Sequence, residues 1–284
     1  MRSIASPGGD DDVTIELEAS QGTAGVGLVV ETGERSAVLL GKRVLVGPID
    51  PCGECEICRR GGATVCPLAR RRSELGARVV ATGRWVVALG DGLELPLPAA
   101  AAVAGDVAIA YTLYARTGLS PREPVVIAGS SPVTRFLVEI LTAKGITPAV
   151  IADPALAAWA DWLLAKGVAV ARTTSETDAR ATITAAFAAQ GLGAKPWRVI
   201  ATTGDAAPLA AALAGPRATL TLLGPIAAVP GDVIAREVTV IGVAGAHPDL
   251  VVEAAAMCVK GELDLALGTS TSRNDEQRAV VSAR

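Results

Sequence analysis

With 284 residues, half of them apolar, the chain has material for one large core or two moderate ones. A formal charge of −3 and the lack of a Lys/Arg-rich face argue against nucleic acid as the main partner. The opening MRSIASPGGDDD does not resemble a secretory leader, and runs such as PLPAAAAVAG are too short or too broken by Pro, Gly and Asp to span a bilayer; a cytoplasmic protein without a membrane partner is expected.

From residue 13 to about residue 97 the pattern is β-like. VTIELEA alternates, while GVGLVVETG, KRVLVGP and RWVVALG are short apolar runs bounded by glycine. Residues 1–97 therefore form a small β domain, and the polar tail 265–284 is expected to pack back on it.

Within this domain Cys52, Cys55, Cys58 and Cys66 are separated by two, two and seven residues. Four thiolates on so short a loop suit a tetrahedral zinc ion with every position filled, a site that holds structure and performs no chemistry. The bacterial ferredoxin run has a final gap of three residues, so the seven-residue gap favours zinc despite Pro67 after the last cysteine. A disulfide framework belongs to small secreted chains. Cys258 is remote in sequence and reads as a small buried hydrophobe. The basic run ARRRSELGAR after the cysteines reads as a solvated loop, with docking of an anionic ligand or partner as the alternative.

From residue 98 to residue 264 helices alternate with short buried strands. PVVIAGS, PAVIADP, VAVA, WRVIATTG, ATLTLLGP and EVTVIGVAG are the strands, and segments such as PVTRFLVEILTAKG and ALAAWADWLLAKG the helices. Such alternation implies parallel pairing and right-handed crossovers, hence an α/β fold with a doubly wound, Rossmann-type sheet. Its first strand–helix turn should read G-x-G-x-x-G to hold a pyrophosphate. Here it reads Gly129, Ser130, Ser131, Pro132, Val133, Thr134: Ser131 places a Cβ where the pyrophosphate would approach, and Thr134 a branched side chain where helix meets sheet. The helix N-terminus and the serine hydroxyls still suit phosphate, so Gly129, Ser130, Ser131 and Val133 are the candidate cofactor residues. Asp153 either holds the ribose hydroxyls of NAD or caps a helix starting at Ala155. The single histidine, His247, reads as a capping or packing residue, and no nucleophile–base pair or G-x-S-x-G elbow is present.

A β domain with a four-cysteine lobe, followed by a dinucleotide-type sheet, resembles the zinc-containing medium-chain alcohol dehydrogenase family over nearly the whole chain. Within that family it is most similar to the 6-hydroxycyclohex-1-ene-1-carbonyl-CoA dehydrogenases. The resemblance implies a GroES-like β domain, a structural zinc and a second, open zinc site whose ligands come from three places. The first is a loop after the opening strand, and here VTIELEAS runs almost directly into QGTAGVG. The second is a Gly-His-Glu turn, replaced by Gly22, Thr23 and Ala24. The third aligns with Gly105, beside Asp106. The expectation is therefore a degenerate homologue that keeps its structural zinc, has lost the catalytic one and acts as a structural or regulatory subunit. The alternative is a zinc-independent NAD(P)H-dependent oxidoreductase acting on an acyl-CoA or a small carbonyl or enoyl substrate. Edge pairing through EVTVIGVAG, as relatives do, implies a dimer or tetramer of this chain or an assembly with a related subunit.

Overall fold

The computed structural model describes residues 9–90, 93–193, 195–224 and 232–265, and these form two compact units. One unit combines residues 9–109 with 246–265; the other comprises the described residues between 110 and 245. The division differs from the expected one, because residues 98–109 and the segment after 245 belong with the β unit.

In the first unit β1 (Asp12–Gln21), β2 (Ala24–Thr32), β3 (Arg43–Val46), β6 (Arg78–Thr82) and β7 (Val87–Ala88) make an antiparallel sheet of order β6-β1-β2-β3-β7. Alternation along β1 and its neighbours buries Val13, Ile15, Val29, Val44, Val46 and Ala81 together on one face. The apolar run RWVVALG supplies only the two-residue β7, since residues Gly83–Trp85 form a short 3-10 turn.

Strands β1 and β2 form a hairpin in which Gln21 pairs with Ala24, so Gly22 and Thr23 are the whole connection. Gly22 sits at φ +60°, a conformation that only glycine adopts without strain. The missing loop read from the sequence is thus a two-residue turn. Helix α2 (Leu97–Ala102) packs on β1 and β2, which is why this stretch belongs to the β unit. It runs on through a π-helical turn (Val103–Val107) into α3 (Ala108–Thr117). The expectation of short, broken apolar runs is corrected here: Leu97–Thr117 is one continuous helix of 21 residues, long and apolar enough by composition to cross a membrane, with 67% of its most apolar window buried inside the protein. Glycine and aspartate do not end this helix, because a π turn absorbs them.

The basic run is solvated, as expected, over most of its length, but it is not all loop and Arg72 is drawn inward. Arg70 and Arg71 form β5, paired with β4 (Ile49–Asp50). The carboxylate of Asp50, buried at 3% exposure, accepts from the Thr82 N–H at 3.1 Å and pairs with Arg70 at 2.8 Å and Arg72 at 3.6 Å. Arg72 also donates to the carbonyls of Gly47 and Val80, and Arg71 to that of Thr64. Of the arginine triplet Arg70 and Arg71 stay exposed, and the buried acid with the carbonyls of Gly47 and Val80 draws Arg72 inward.

The second unit holds six parallel strands: β8 (Val125–Ala128), β9 (Ala149–Ala152), β10 (Ala169–Arg172), β11 (Arg198–Ala201), β12 (Thr219–Leu223) and β13 (Thr239–Val243). Their order, β10-β9-β8-β11-β12-β13, is the doubly wound arrangement, with the reversal of strand order between β8 and β11. Helices α4 (Pro132–Ala143), α5 (Ala157–Ala165), α6 (Glu176–Ala189), α7 (Ala207–Leu213) and the short α8 (Asp232–Ala235) connect them. All four residues of β8 and of β9 are buried, as strands covered on both faces require. Helix α9 (Val251–Val259) belongs to the first unit and packs against the π turn. The expected docking of the tail lies outside the described residues.

Asp50→Asn should leave Arg72 and Arg70 without a buried counter-charge and cost about 3 kcal/mol, read as a lower midpoint in denaturant unfolding.

Candidate metal centre and ligand cavity

The four cysteines converge. Their Sγ atoms all lie within 4.8 Å of one another, with separations of 4.0 Å for Cys52–Cys58, 3.9 Å for Cys55–Cys66 and 3.6 Å for Cys52–Cys66. Zinc–sulfur bonds of about 2.3 Å arranged tetrahedrally require sulfurs about 3.8 Å apart, so the donor set fits this metal in both chemistry and size. The Cys55 N–H points at Cys52 Sγ and the Cys58 N–H at Cys55 Sγ, the geometry of successive knuckles. Backbone N–H groups of Glu54 and Cys55 pull the Cys52 thiol down to about 6, while desolvation and contact with Cys66 push the Cys58 thiol up to about 12. Thiols this close resist ionising together, and a dication removes that conflict.

Donors from outside the lobe hold its backbone. Trp85 Nε1 donates to Pro51 O at 2.7 Å, Arg84 Nη2 to Cys52 O at 3.0 Å and Arg71 Nη2 to Thr64 O at 2.9 Å. His247 Nε2 lies 3.1 Å from Gly61 O. The lone histidine thus serves the metal lobe. Sequence reasoning missed this link, because nothing in the chain signals that GAHPDL returns to the first unit.

Beside the hairpin turn, Ala24 and Gly105 are packed together: a Cβ on Gly105 would stand 3.3 Å from Ala24 Cβ and 3.9 Å from Gln21 O. Gln21 Nε2 donates to Asp106 Oδ2 at 2.9 Å. Two of the segments that the family resemblance assigns to an open zinc site therefore meet in space, and at the contact they carry a methyl group and a hydrogen, while Thr23, aligned with the histidine, offers a hydroxyl. Among the described residues the four cysteines form the one group of three or more Cys, His, Asp or Glu side chains placed to hold a metal.

In the second unit Gly129 leaves β8 at φ +121°, and a Cβ there would stand 2.9 Å from the Thr203 hydroxyl and closer still to that of Thr202, so only glycine fits. The next residues close a capping box at the start of α4: Ser131 Oγ accepts from the Thr134 N–H at 3.3 Å, and Thr134 Oγ1 from the Ser131 N–H at 3.1 Å. Thr134 is fully buried and its hydroxyl shares a 2.6 Å hydrogen bond with that of Thr202, which donates to Ala128 O at 3.2 Å. The branched side chain at the third glycine position is accommodated as part of a hydroxyl chain between helix and sheet. Pro132 has no N–H, and the N–H groups of Thr134 and Arg135 go to Ser131 Oγ and Ser131 O.

Ser130 Oγ accepts from the Asp153 N–H at 2.9 Å, and Asp153 Oδ1 accepts from the Ala155 N–H at 2.9 Å. The expected helix cap is corrected in one respect: α5 begins at Ala157, so Asp153 orders the turn before the helix and Leu156 occupies the N-cap position without a side-chain bond. Gly129, Ser130 and Asp153 line a cavity of about 440 Å³ at the carboxyl ends of the strands. Ser131 and Val133 are not among its lining residues, and Val133 is buried. Thr203, Asp205 and Glu176 also line it and were not found from the sequence, although each lies within four residues of a strand's carboxyl end.

Residues 7–93 match the family model described as the alcohol dehydrogenase GroES-like domain. A sorbitol dehydrogenase from Bombyx mori is 40% identical over 57 residues, which span 20% of this chain and 16% of that enzyme. Among solved structures, the alcohol dehydrogenase TADH from Thermus sp. ATN1 superposes with a TM-score of 0.75 at 15% identity, covering 93% of this chain and 86% of the other. The D-arabinose dehydrogenase from Sulfolobus solfataricus gives a TM-score of 0.73 at 19% identity, covering 93% of both chains. A structure described as a short chain alcohol dehydrogenase from E. coli CFT073, complexed with NADH, gives 0.73 at 16% identity, covering 93% and 85%. The chain thus carries a GroES-like domain and has the fold of the zinc-type medium-chain alcohol dehydrogenases.

Cys66→Ser should abolish zinc retention in elemental analysis. Losing about 2 kcal/mol of metal-derived stability would lower the melting temperature by about 4–8 °C.

Proposed function

We propose that this chain is a non-catalytic relative of the medium-chain dehydrogenases, a structural or regulatory subunit that keeps the fold and the metal lobe and has given up metal-assisted alcohol oxidation. The contact between Ala24 and Gly105 carries this reading. An open catalytic zinc needs three protein ligands and a free position from which it polarises the alcohol oxygen. The turn at Gly22 and Thr23 leaves no loop to bring one ligand, the second position offers only the Thr23 hydroxyl beside the Ala24 methyl where the family has histidine and glutamate, and the third, Gly105, offers no side chain. The polar side chains beside them, Gln21 and Asp106, are bonded to each other.

The second unit supports the same reading. A pyrophosphate is held by backbone N–H groups at a helix start, and the first turn of α4 commits most of its own to Ser131. Structural zinc, held by Cys52, Cys55, Cys58 and Cys66, would fix the lobe and leave no position for substrate. The subunit acts in the cytoplasm as part of an assembly with itself or with a related chain. Its edge strand β13 favours such pairing, since Val240 is 42% exposed and among the described residues no strand pairs with its outer side.

A zinc-independent NAD(P)H reductase is the second reading, favoured by Gly129 and Asp153, which stand where a dinucleotide site places them. Elemental analysis should find one zinc ion per chain, and alcohols should give no reduction of NAD+ or NADP+. Two zinc ions with turnover would sink the non-catalytic reading. NADH or NADPH consumption with a carbonyl, enoyl or acyl-CoA panel would replace it with the second, and calorimetry without binding at millimolar cofactor would remove that second reading. Light scattering should show a dimer or larger assembly at micromolar concentration; a monomer would count against the subunit role.

A further inference from the structure

We infer that His247 couples the metal lobe to the place where the chain returns to the first unit, so that zinc in the lobe and the seating of residues 246–250 stabilise one another. This rests on the reading of the four cysteines as a zinc site and is independent of whether the chain has given up alcohol oxidation.

The coupling follows from where His247 takes hold. Cys52, Cys55 and Cys58 are set relative to one another by two successive knuckles, in which Sγ atoms accept from the N–H groups of Cys55 and Cys58. Cys66 is reached only through the longer gap, which contains Gly61 and Gly62. Gly61 turns the chain at φ +79°, and Gly62 lies so close to Ile57 that a Cβ there would stand 2.7 Å from Ile57 Cγ2 and 3.0 Å from Ile57 O. Glycine loses more conformational freedom on ordering than any other residue, so this turn is the part of the ligand frame that costs most to fix.

The turn is held by its carbonyls. Gly61 O accepts from His247 Nε2 at 3.1 Å, and Thr64 O from Arg71 Nη2 at 2.9 Å. A carbonyl only accepts, so Nε2 carries a hydrogen; the other ring nitrogen lies 3.8 Å from Asp249 Oδ2. Arg71 is close to Cys66 in sequence, whereas His247 is 186 residues from Gly61 and directly follows Ala246, where the chain re-enters the first unit. Beyond it Pro248–Leu250 makes a short 3-10 turn, whose Leu250 N–H donates back to His247 O at 3.0 Å and which leads into α9. A fixed Gly61 carbonyl therefore seats His247 and the turn after it, and a seated His247 lowers the cost of bringing Cys66 to the metal. Such coupling is reciprocal: whatever His247 adds to zinc affinity, zinc adds to the seating of His247.

Zinc transfer from the full chain to a chromophoric chelator, and hydrogen exchange with and without zinc, test the coupling. His247→Ala should weaken zinc retention about tenfold, the worth of one well-formed hydrogen bond. His247→Gln, whose amide N–H can reach the same carbonyl, should restore it to within about twofold. In the unaltered chain, removing zinc should speed exchange at the Leu250 N–H about tenfold while the amides of β11 stay as they were, and in His247→Ala this response to zinc should vanish. Equal zinc retention in His247→Ala and the unaltered chain would overturn the inference, as would exchange at Leu250 that is indifferent to zinc. Equal loss in the Gln and Ala variants would overturn it too, by assigning the effect to ring packing. Should His247→Ala not fold, the Gln variant and exchange in the unaltered chain decide alone. A chain that holds no zinc would remove the metal site and the coupling together, whereas zinc held equally well with and without His247 removes the coupling alone.

Discussion

The tight hairpin at Gly22 and Thr23 is the constraint on which the first unit's interior depends. Because Gln21 and Ala24 are directly paired, the connection between β1 and β2 cannot reach away from the sheet, and the start of β2 stays within contact of the helix packed on it. Small residues on both sides make this approach feasible: Ala24 is 1% exposed, and Gly105 adds no side chain against it. A longer loop would separate these elements and make room for donors between them. Shortening the loop and removing the donors are thus two descriptions of one change in packing.

The metal lobe follows a different logic. Its four sulfurs are set by local sequence spacing, but its backbone is held by donors outside the lobe, Arg71 close by in sequence and Arg84, Trp85 and His247 far away, each bonded to a backbone carbonyl of the loop. Buried or half-buried carbonyls need such partners, and a loop without regular structure cannot supply them itself. Asp50 extends the arrangement by pairing with Arg70 and Arg72, the neighbours of Arg71. The lobe is therefore integrated into the first unit through charge and hydrogen bonding more than through apolar packing.

Much of this was legible in the sequence. Periodicity located all six parallel strands, and the cysteine spacing located the metal lobe, because both signals depend on residues close together in the chain. The glycine pattern correctly pointed to a changed turn after β8, but not to what replaced it. The capping box of Ser131 and Thr134 follows the short-range pattern of a helix start, whereas the link from Thr134 to Thr202 joins residues 68 apart. Arg72 was misjudged for a related reason: its exposure was inferred from charge, and the acid it pairs with lies about twenty positions earlier, in β4. The contact of His247 with Gly61, and the grouping of Glu176 and Asp205 with Asp153 around one cavity, escaped notice because both join residues far apart in the chain.

The π turn at Val103–Val107 has a mechanical consequence for the hairpin. In a regular α-helix successive side chains diverge by about 100°, so two consecutive residues rarely address the same neighbour. The wider turn lets Gly105 lie against Ala24 while Asp106, next in sequence, reaches Gln21. The helix therefore grips the hairpin on both strands at its tip, one contact through van der Waals packing and the other through a hydrogen bond. Gripped in this way, the tip is denied the rocking freedom of an ordinary β-turn, and the space beside it has no hinge about which to open.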